Sequence, residues 1–185
     1  MIPTMFTNGY NYTECRGIAS GIDLKNEGRL FLVHGRNGCY TWPLLRVYAV
    51  EMGVPVVCVS TEVSGRGIAA RMAILENTLQ RFEPKCPDFN AEMERYGKAI
   101  TDIGRAPIAI IDDHPGTQDE ILSKALASAH SLDAKIIIFD VIYAFDPERL
   151  QEFAKEAGIP VVAFCNNPRL MEKVRGFFDK VIELA

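Results

Sequence analysis

Six short apolar runs, separated by stretches with helical spacing, constrain this 185-residue chain more than any other feature. They lie at 29–34, 54–59, 107–111, 135–139, 159–164 and 180–184. Most are continuous Val and Ile rather than alternating apolar and polar residues. A strand with one wet face alternates, whereas a continuous run is buried on both faces. The pattern therefore predicts an α/β domain: a mostly parallel central sheet with helices on both faces. Helices are expected at 42–52, from Ser64, at 90–103, after a capping box at Thr117–Glu120, from Asp146 to a stop at Gly158, and at 168–175. The 42–52 helix is apolar nearly all round, with Arg46 and Glu51 its only charges, and should be buried on most sides.

Ligands of parallel sheets bind outside the carboxyl ends of the strands. The polar residues there are the loop after the first strand, Glu62 after the second, Asp112 and Asp113 after the third, Asp140 after the fourth and Asn166 after the fifth. The first of these, in LFLVHGRNGCYT at 30–41, joins an apolar strand to a helix through glycines. That is the setting of a phosphate-binding loop, where backbone N–H groups and a helix N-terminus converge on an anion. Against G-x-x-x-x-G-K-[ST], Thr41 takes the hydroxyl place, Tyr40 the lysine place, Cys39 the second glycine and His34 the first. Two readings stay open for Gly35, Arg36, Asn37, Gly38, Cys39, Tyr40 and Thr41: a tight strand-to-helix turn without ligand, or a weak nucleotide or phosphate site.

The net charge of −4 argues against a broad nucleic-acid footprint. The five cysteines form no C-x-x-C pair and read as reduced structural thiols of a cytoplasmic protein. No signal peptide and no membrane-length apolar run is visible. Residues 1–16 read as an arm, and 17–28 as a turn-rich approach to a single domain at 17–185. Phe6, Tyr10 and Tyr12 in the arm suit either a platform for single strands or packing on a neighbour. His34 reads as a hydrogen-bonded packing residue. Asp112 and Asp113 read as loop or cap acceptors before cation ligands.

Taken together, these segments resemble the RecA-type motor domain of DnaB-like replicative helicases. RLFLVHGRNGCYT is similar to the Walker A strand and loop, VVCVSTEVS to the next strand with its S-x-E-M-S element, and IAIIDDHPGTQDEI to the strand ending in two aspartates. KIIIFDVIYAF resembles the Walker B strand, GIPVVAFCNNPR the strand carrying a polar sensor, and FFDKVIEL the closing strand. The order and spacing match from about residue 17 to 184.

The resemblance implies a RecA-like fold, ATP and Mg²⁺ as cofactors, and roles for matched positions. Thr41 would ligate Mg²⁺, Glu62 would polarise the attacking water, Asp140 would hold the Mg²⁺ shell, and Asn166 would sense the γ-phosphate. It also implies a homo-oligomer, a helicase or another replication protein as partner, and single-stranded DNA as a weaker candidate. The departures point elsewhere. A missing lysine removes a charge-assisted hydrogen bond, about 1.5–3 kcal/mol or roughly ten- to a hundred-fold in binding. Cys39 stands where a glycine lets the backbone approach the anion. Arg36 supplies charge only from another direction. The stretches that carry DNA loops and an arginine finger in the family are short here, with Arg169, Lys173 and Arg175 the basic residues left. The reading that follows is a non-catalytic or weakly nucleotide-binding assembly module of replication or recombination. The alternative is an active Mg²⁺-dependent ATPase with an atypical loop.

Overall fold

The computed structural model describes residues 12–25, 27–35, 40–80, 89–112 and 116–184. Six strands, β1 (Leu30–His34), β2 (Val56–Val59), β3 (Ile108–Ile111), β4 (Ile136–Phe139), β5 (Val161–Cys165) and β6 (Lys180–Glu183), form one sheet in the order β3-β2-β4-β5-β1-β6. Every pairing is parallel, with β1 lying between β5 (Leu30↔Val161) and β6 (Phe31↔Lys180). All six apolar runs of the sequence are strands, with ends within two residues of the expected spans.

Successive residues of a strand point to opposite faces, so each strand feeds two cores. Leu30, Leu32, Val57, Val59, Ile137, Phe139, Val161 and Ala163 face one layer, closed by α5 (Gln118–Leu132), α6 (Pro147–Ala157) and α7 (Pro168–Val174). Phe31, Val33, Cys58, Ile136, Ile138, Val162 and Phe164 face the other. That layer is closed by α1 (Tyr12–Gly21), α2 (Thr41–Leu45) with the turn that follows it, and α3 (Gly65–Gln80).

The helix ends follow the sequence signals. Thr117 accepts from the Glu120 N–H at 3.3 Å while Glu120 accepts from the Thr117 N–H at 2.7 Å, the reciprocal capping box. Asp146 and Asn167 cap α6 and α7. Ser64 accepts from the Gly67 N–H at the start of α3. Gly158 ends α6 with φ +64°, a left-handed geometry that costs glycine little.

Two local expectations change. Residues 12–21 form α1 rather than the end of an arm and a turn-rich approach. Its buried residues Cys15, Ile18 and Ala19, with Ile22 just beyond, keep the i, i+3, i+4, i+7 spacing of one helical face, which Gly17 and Gly21 mask at the level of composition. The 42–52 helix is α-helical only through Leu45. From Arg46 to Glu51 it is a π-turn in which the Met52 N–H donates to the Val47 carbonyl five residues back, and Arg46 pairs with Glu51 across the wider turn. Glu51 also pairs with Arg16 of α1 at 3.1 Å. The helix expected at 90–103 is present as α4 (Phe89–Arg105); it packs chiefly on α3, with Met93 and Ile100 about half exposed and Ala99 buried.

Candidate functional site

The carboxyl ends of β1, β2, β4 and β5 open on a cleft of about 580 Å³ lined by Gly35, Tyr40, Thr41, Trp42, Glu62, Arg71, Asp140, Phe164 and Asn166, among others. This is the size of a small-molecule site. The described residues expected at the site (Gly35, Tyr40, Thr41, Glu62, Asp140 and Asn166) all line it. Arg36, Asn37, Gly38 and Cys39 lie outside the described residues, as do Asp113, Phe6 and Tyr10.

Tyr40 decides the character of the loop. The residue is 5% exposed, and its ring stacks near-parallel to Phe164, with centroids 6.5 Å apart. The ring also lies so close to Gly35 that a Cβ there would overlap its Cε2. Its hydroxyl bonds the Glu14 carboxylate of α1, while the Cys15 thiol donates to its carbonyl at 3.8 Å. Burial, then the neighbouring Glu14 charge, pushes the Tyr40 hydroxyl above the usual phenol range. The side chain at the lysine position is thus an aromatic packing element tied to α1.

Asp140, 5% exposed at the end of β4, is spanned by the end of β2. Its carboxylate accepts from Ser60 Oγ at 2.5 Å, the Thr61 N–H at 3.0 Å and Thr61 Oγ1 at 3.4 Å. Glu62 is exposed at the cleft. Thr41 is fully buried, and its hydroxyl finds no partner among the described residues; the same holds for the indole N–H of Trp42. His34 bonds the Cys165 carbonyl through Nδ1 at 2.7 Å, the packing role expected of it. Asp112 accepts from the Gly65 N–H and so caps α3.

Three side chains at or beside the cleft were given no role by sequence reasoning, although Ser60 opens the S-x-E-M-S element. Ser60 buttresses Asp140. Arg71 of α3 places its guanidinium 4.5 Å from the centre of the Trp42 ring. Tyr143, 43% exposed, has its hydroxyl against the backbone N–H groups of Asn166 and Asn167. Burial, with smaller contributions from Cys165 and Glu62, raises its pKa. The available signal for Arg71 was its position one residue before Met72 and three after Ile68, beside the buried stripe of α3.

The buried phenols make a pH prediction. Burial raises the pKa of Tyr48, which is fully enclosed and donates to the Ala19 carbonyl at 3.4 Å, as well as that of Tyr40. Their folded-state values lie above the unfolded value of about 10. The preference of the fold for the protonated phenols is therefore intact below pH ~10 and is lost as pH rises through the folded-state values. Urea melts between about pH 8 and 11.5 should show the midpoint falling above pH ~10, and Tyr48→Phe should flatten that fall.

No protein-family model matches this chain, and no curated protein does. Solved structures do. One, an ATPase domain, superposes with a TM-score of 0.65 over 94% of this chain and 81% of that one, at 16% identity. A DnaB-like replicative helicase, described with its interactions with primase, superposes with a TM-score of 0.62 over 80% of this chain, at 17% identity. The fold is that of a DnaB-type RecA-like motor domain. This chain matches 41% of the replicative helicase chain, so the RecA-like unit corresponds to one part of that protein. At these identities the likeness is one of fold. Among the described residues, no helix is long and apolar enough to cross a membrane, and no group of three or more His, Cys, Asp or Glu side chains is placed to hold a metal.

Proposed function

We propose that this RecA-like domain is a non-hydrolysing module of the DNA replication or recombination machinery. It would act through assembly, with a helicase, another replication protein or copies of itself, and bind nucleotide weakly at most. The observation that carries this reading is Tyr40, packed between Gly35, Phe164 and Glu14 where a motor would present a mobile ammonium to the phosphates. Losing one preorganised donor to a transition state costs roughly 10²–10³ in rate.

The residues present also fit catalytic Mg²⁺–ATP poorly. The Asp140 carboxylate is already engaged by three donor groups of Ser60 and Thr61. The helicase-like neighbour described with primase supports a replication partner by analogy of fold. The buried thiols Cys15, Cys58 and Cys165 suit the reducing cytoplasm. A second reading, an active ATPase with an atypical loop, is favoured by the convergence of Thr41, Glu62, Asp140 and Asn166 on one cleft.

Two assays on the purified chain separate these readings. No Mg²⁺-dependent ATP hydrolysis is expected, with or without single-stranded DNA. Light scattering should show self-association, or else pull-down should show binding to a DnaB-type helicase or its primase. Turnover that disappears in Glu62→Gln would overturn the proposal in favour of the ATPase.

A further inference from the structure

The cleft holds donors on Arg71 and Trp42, outside the matched motif positions, beside the hydroxyl of Thr41. Arg71 is the only cation lining it among the described residues, and its guanidinium rests on the face of Trp42. Trp42 is 2% exposed and Thr41 fully buried. The indole N–H of the first and the hydroxyl of the second have no partner among the described residues. A buried polar group left unpaired costs about 1–3 kcal/mol, so a structure rarely keeps two side by side without use.

Their chemistry restricts the use. An indole N–H only donates, and a guanidinium only donates. Whatever satisfies both must present several acceptor oxygens. Asp140 does not compete for them, because Ser60 and Thr61 already occupy its carboxylate. A phosphoryl group meets the requirement: it has several acceptor oxygens, carries negative charge, and matches the planar fork of arginine.

We infer that Arg71, held over the Trp42 ring, is the cation that receives a phosphoryl group in this cleft, from the α3 wall instead of loop position 40. The inference rests on the reading that the cleft still takes a phosphate-bearing ligand weakly. It adds that affinity depends on α3 and not on the loop side chain that replaced the lysine. Stacking on Trp42 fixes the guanidinium plane before the ligand arrives, which lowers the ordering cost of binding. The ligand class is a polyphosphate, free or as the tail of a nucleoside triphosphate.

The chain has one tryptophan, so its tryptophan emission, excited beyond the tyrosine absorption, reports on Trp42 alone. Titration with sodium pyrophosphate and with ATP, each with and without Mg²⁺, should give a saturable change in emission. A thermal-shift titration with the same ligands should give the same dissociation constant. Arg71→Gln, which keeps part of the stem over the ring and removes the charge, should weaken binding about ten- to a hundred-fold. Arg71→Lys should recover part of that loss. Arg71 is exposed on α3, so both variants should keep the wild-type far-UV circular dichroism. Equal response to pyrophosphate and ATP would assign the recognition to the phosphates; a response to ATP alone would mean that the base is also read.

Unchanged affinity in Arg71→Gln would overturn the inference, and so would the absence of any response in the wild type at millimolar ligand. Neither result touches the proposed lack of hydrolysis. Conversely, an Arg71-dependent ligand that is hydrolysed would overturn the non-hydrolysing reading and leave the role of Arg71 standing.

Discussion

Asp140→Ala should destabilise the fold by about 2–4 kcal/mol, a drop of roughly 5–15 °C in melting temperature for a domain of this size. The carboxylate joins the end of β4 to the end of β2 through Ser60 and Thr61. Hydrogen bonds to a charged group contribute about 1.5–3 kcal/mol each, and their sum is less than additive. Removing the acceptor also strands the Thr61 N–H in a partly buried place. Ser60 loses less, because its hydroxyl also reaches the Val63 carbonyl at 2.7 Å. Asp140→Asn keeps an acceptor for the Thr61 N–H and should fall between the wild type and Asp140→Ala. Urea melts of the three proteins test the ranking. A carboxylate kept mainly for a cation behaves in the opposite way. Its removal relieves repulsion with Glu62, so the apo protein gains stability and Mg²⁺ alone stabilises only the wild type. A rise in stability for Asp140→Ala would therefore return Asp140 to the metal-holding role.

The second large effect is expected at the contact between Gly35 and Tyr40. Gly35→Ala should cost about 1–3 kcal/mol by overpacking, although the backbone of Gly35 tolerates a side chain. Its new methyl would overlap Tyr40 Cε2, and Phe164 behind the ring together with the Glu14 bond leaves the phenol little room to retreat. Tyr40→Ala should cost about 2–4 kcal/mol through lost packing. The double variant should be more stable than the sum of the two by about 1 kcal/mol or more, because each change removes the cause of the other's penalty. A double-mutant cycle by urea denaturation measures this coupling; additivity within about 0.5 kcal/mol would mean that the ring does not press on Gly35. Tyr40→Lys belongs to the same series. It should lose the aromatic packing without restoring hydrolysis, since an ammonium at this position would first meet Glu14.

Much of this architecture could be read from the chain because its signals are local. The apolar runs VVCV at 56–59 and IIIF at 136–139 read as strands buried on both faces, and the Thr117–Glu120 box marks a helix start by its own hydrogen bonds. In a parallel sheet all carboxyl ends share one edge, so Thr41, Glu62, Asp140 and Asn166 could be assigned to one cleft from their positions alone. What escaped depends on contacts between distant segments. Helix α1 is stabilised by docking on the α2 layer, which its glycines conceal. The π-turn at Arg46–Glu51 follows from packing and from an ion pair, not from propensity. Tyr40 could be recognised as a departure from the motif, but its direction is set by Phe164, far along the chain. Arg71 is one more charge on a helix until Trp42 is seen beneath it.

The place of β1 bears on how the molecule is made. This strand carries the loop and belongs to the first part of the chain, yet its two neighbours are β5 and β6, the last strands in sequence. The Leu30 N–H donates to the Asp179 carboxylate, 149 residues away. A ribosome delivers β1 long before either neighbour exists, and among the described residues no earlier strand pairs with it. Contacts of such long range slow folding, because the intervening chain must be ordered before they form. The segment from β2 to β4 can pair as it emerges, while β1 waits with both edges open and is captured last. Folding of this domain is therefore expected to finish only after β6 emerges, and a nascent chain stopped before residue 161 would leave the apolar β1, which carries the loop of the site, without either neighbour.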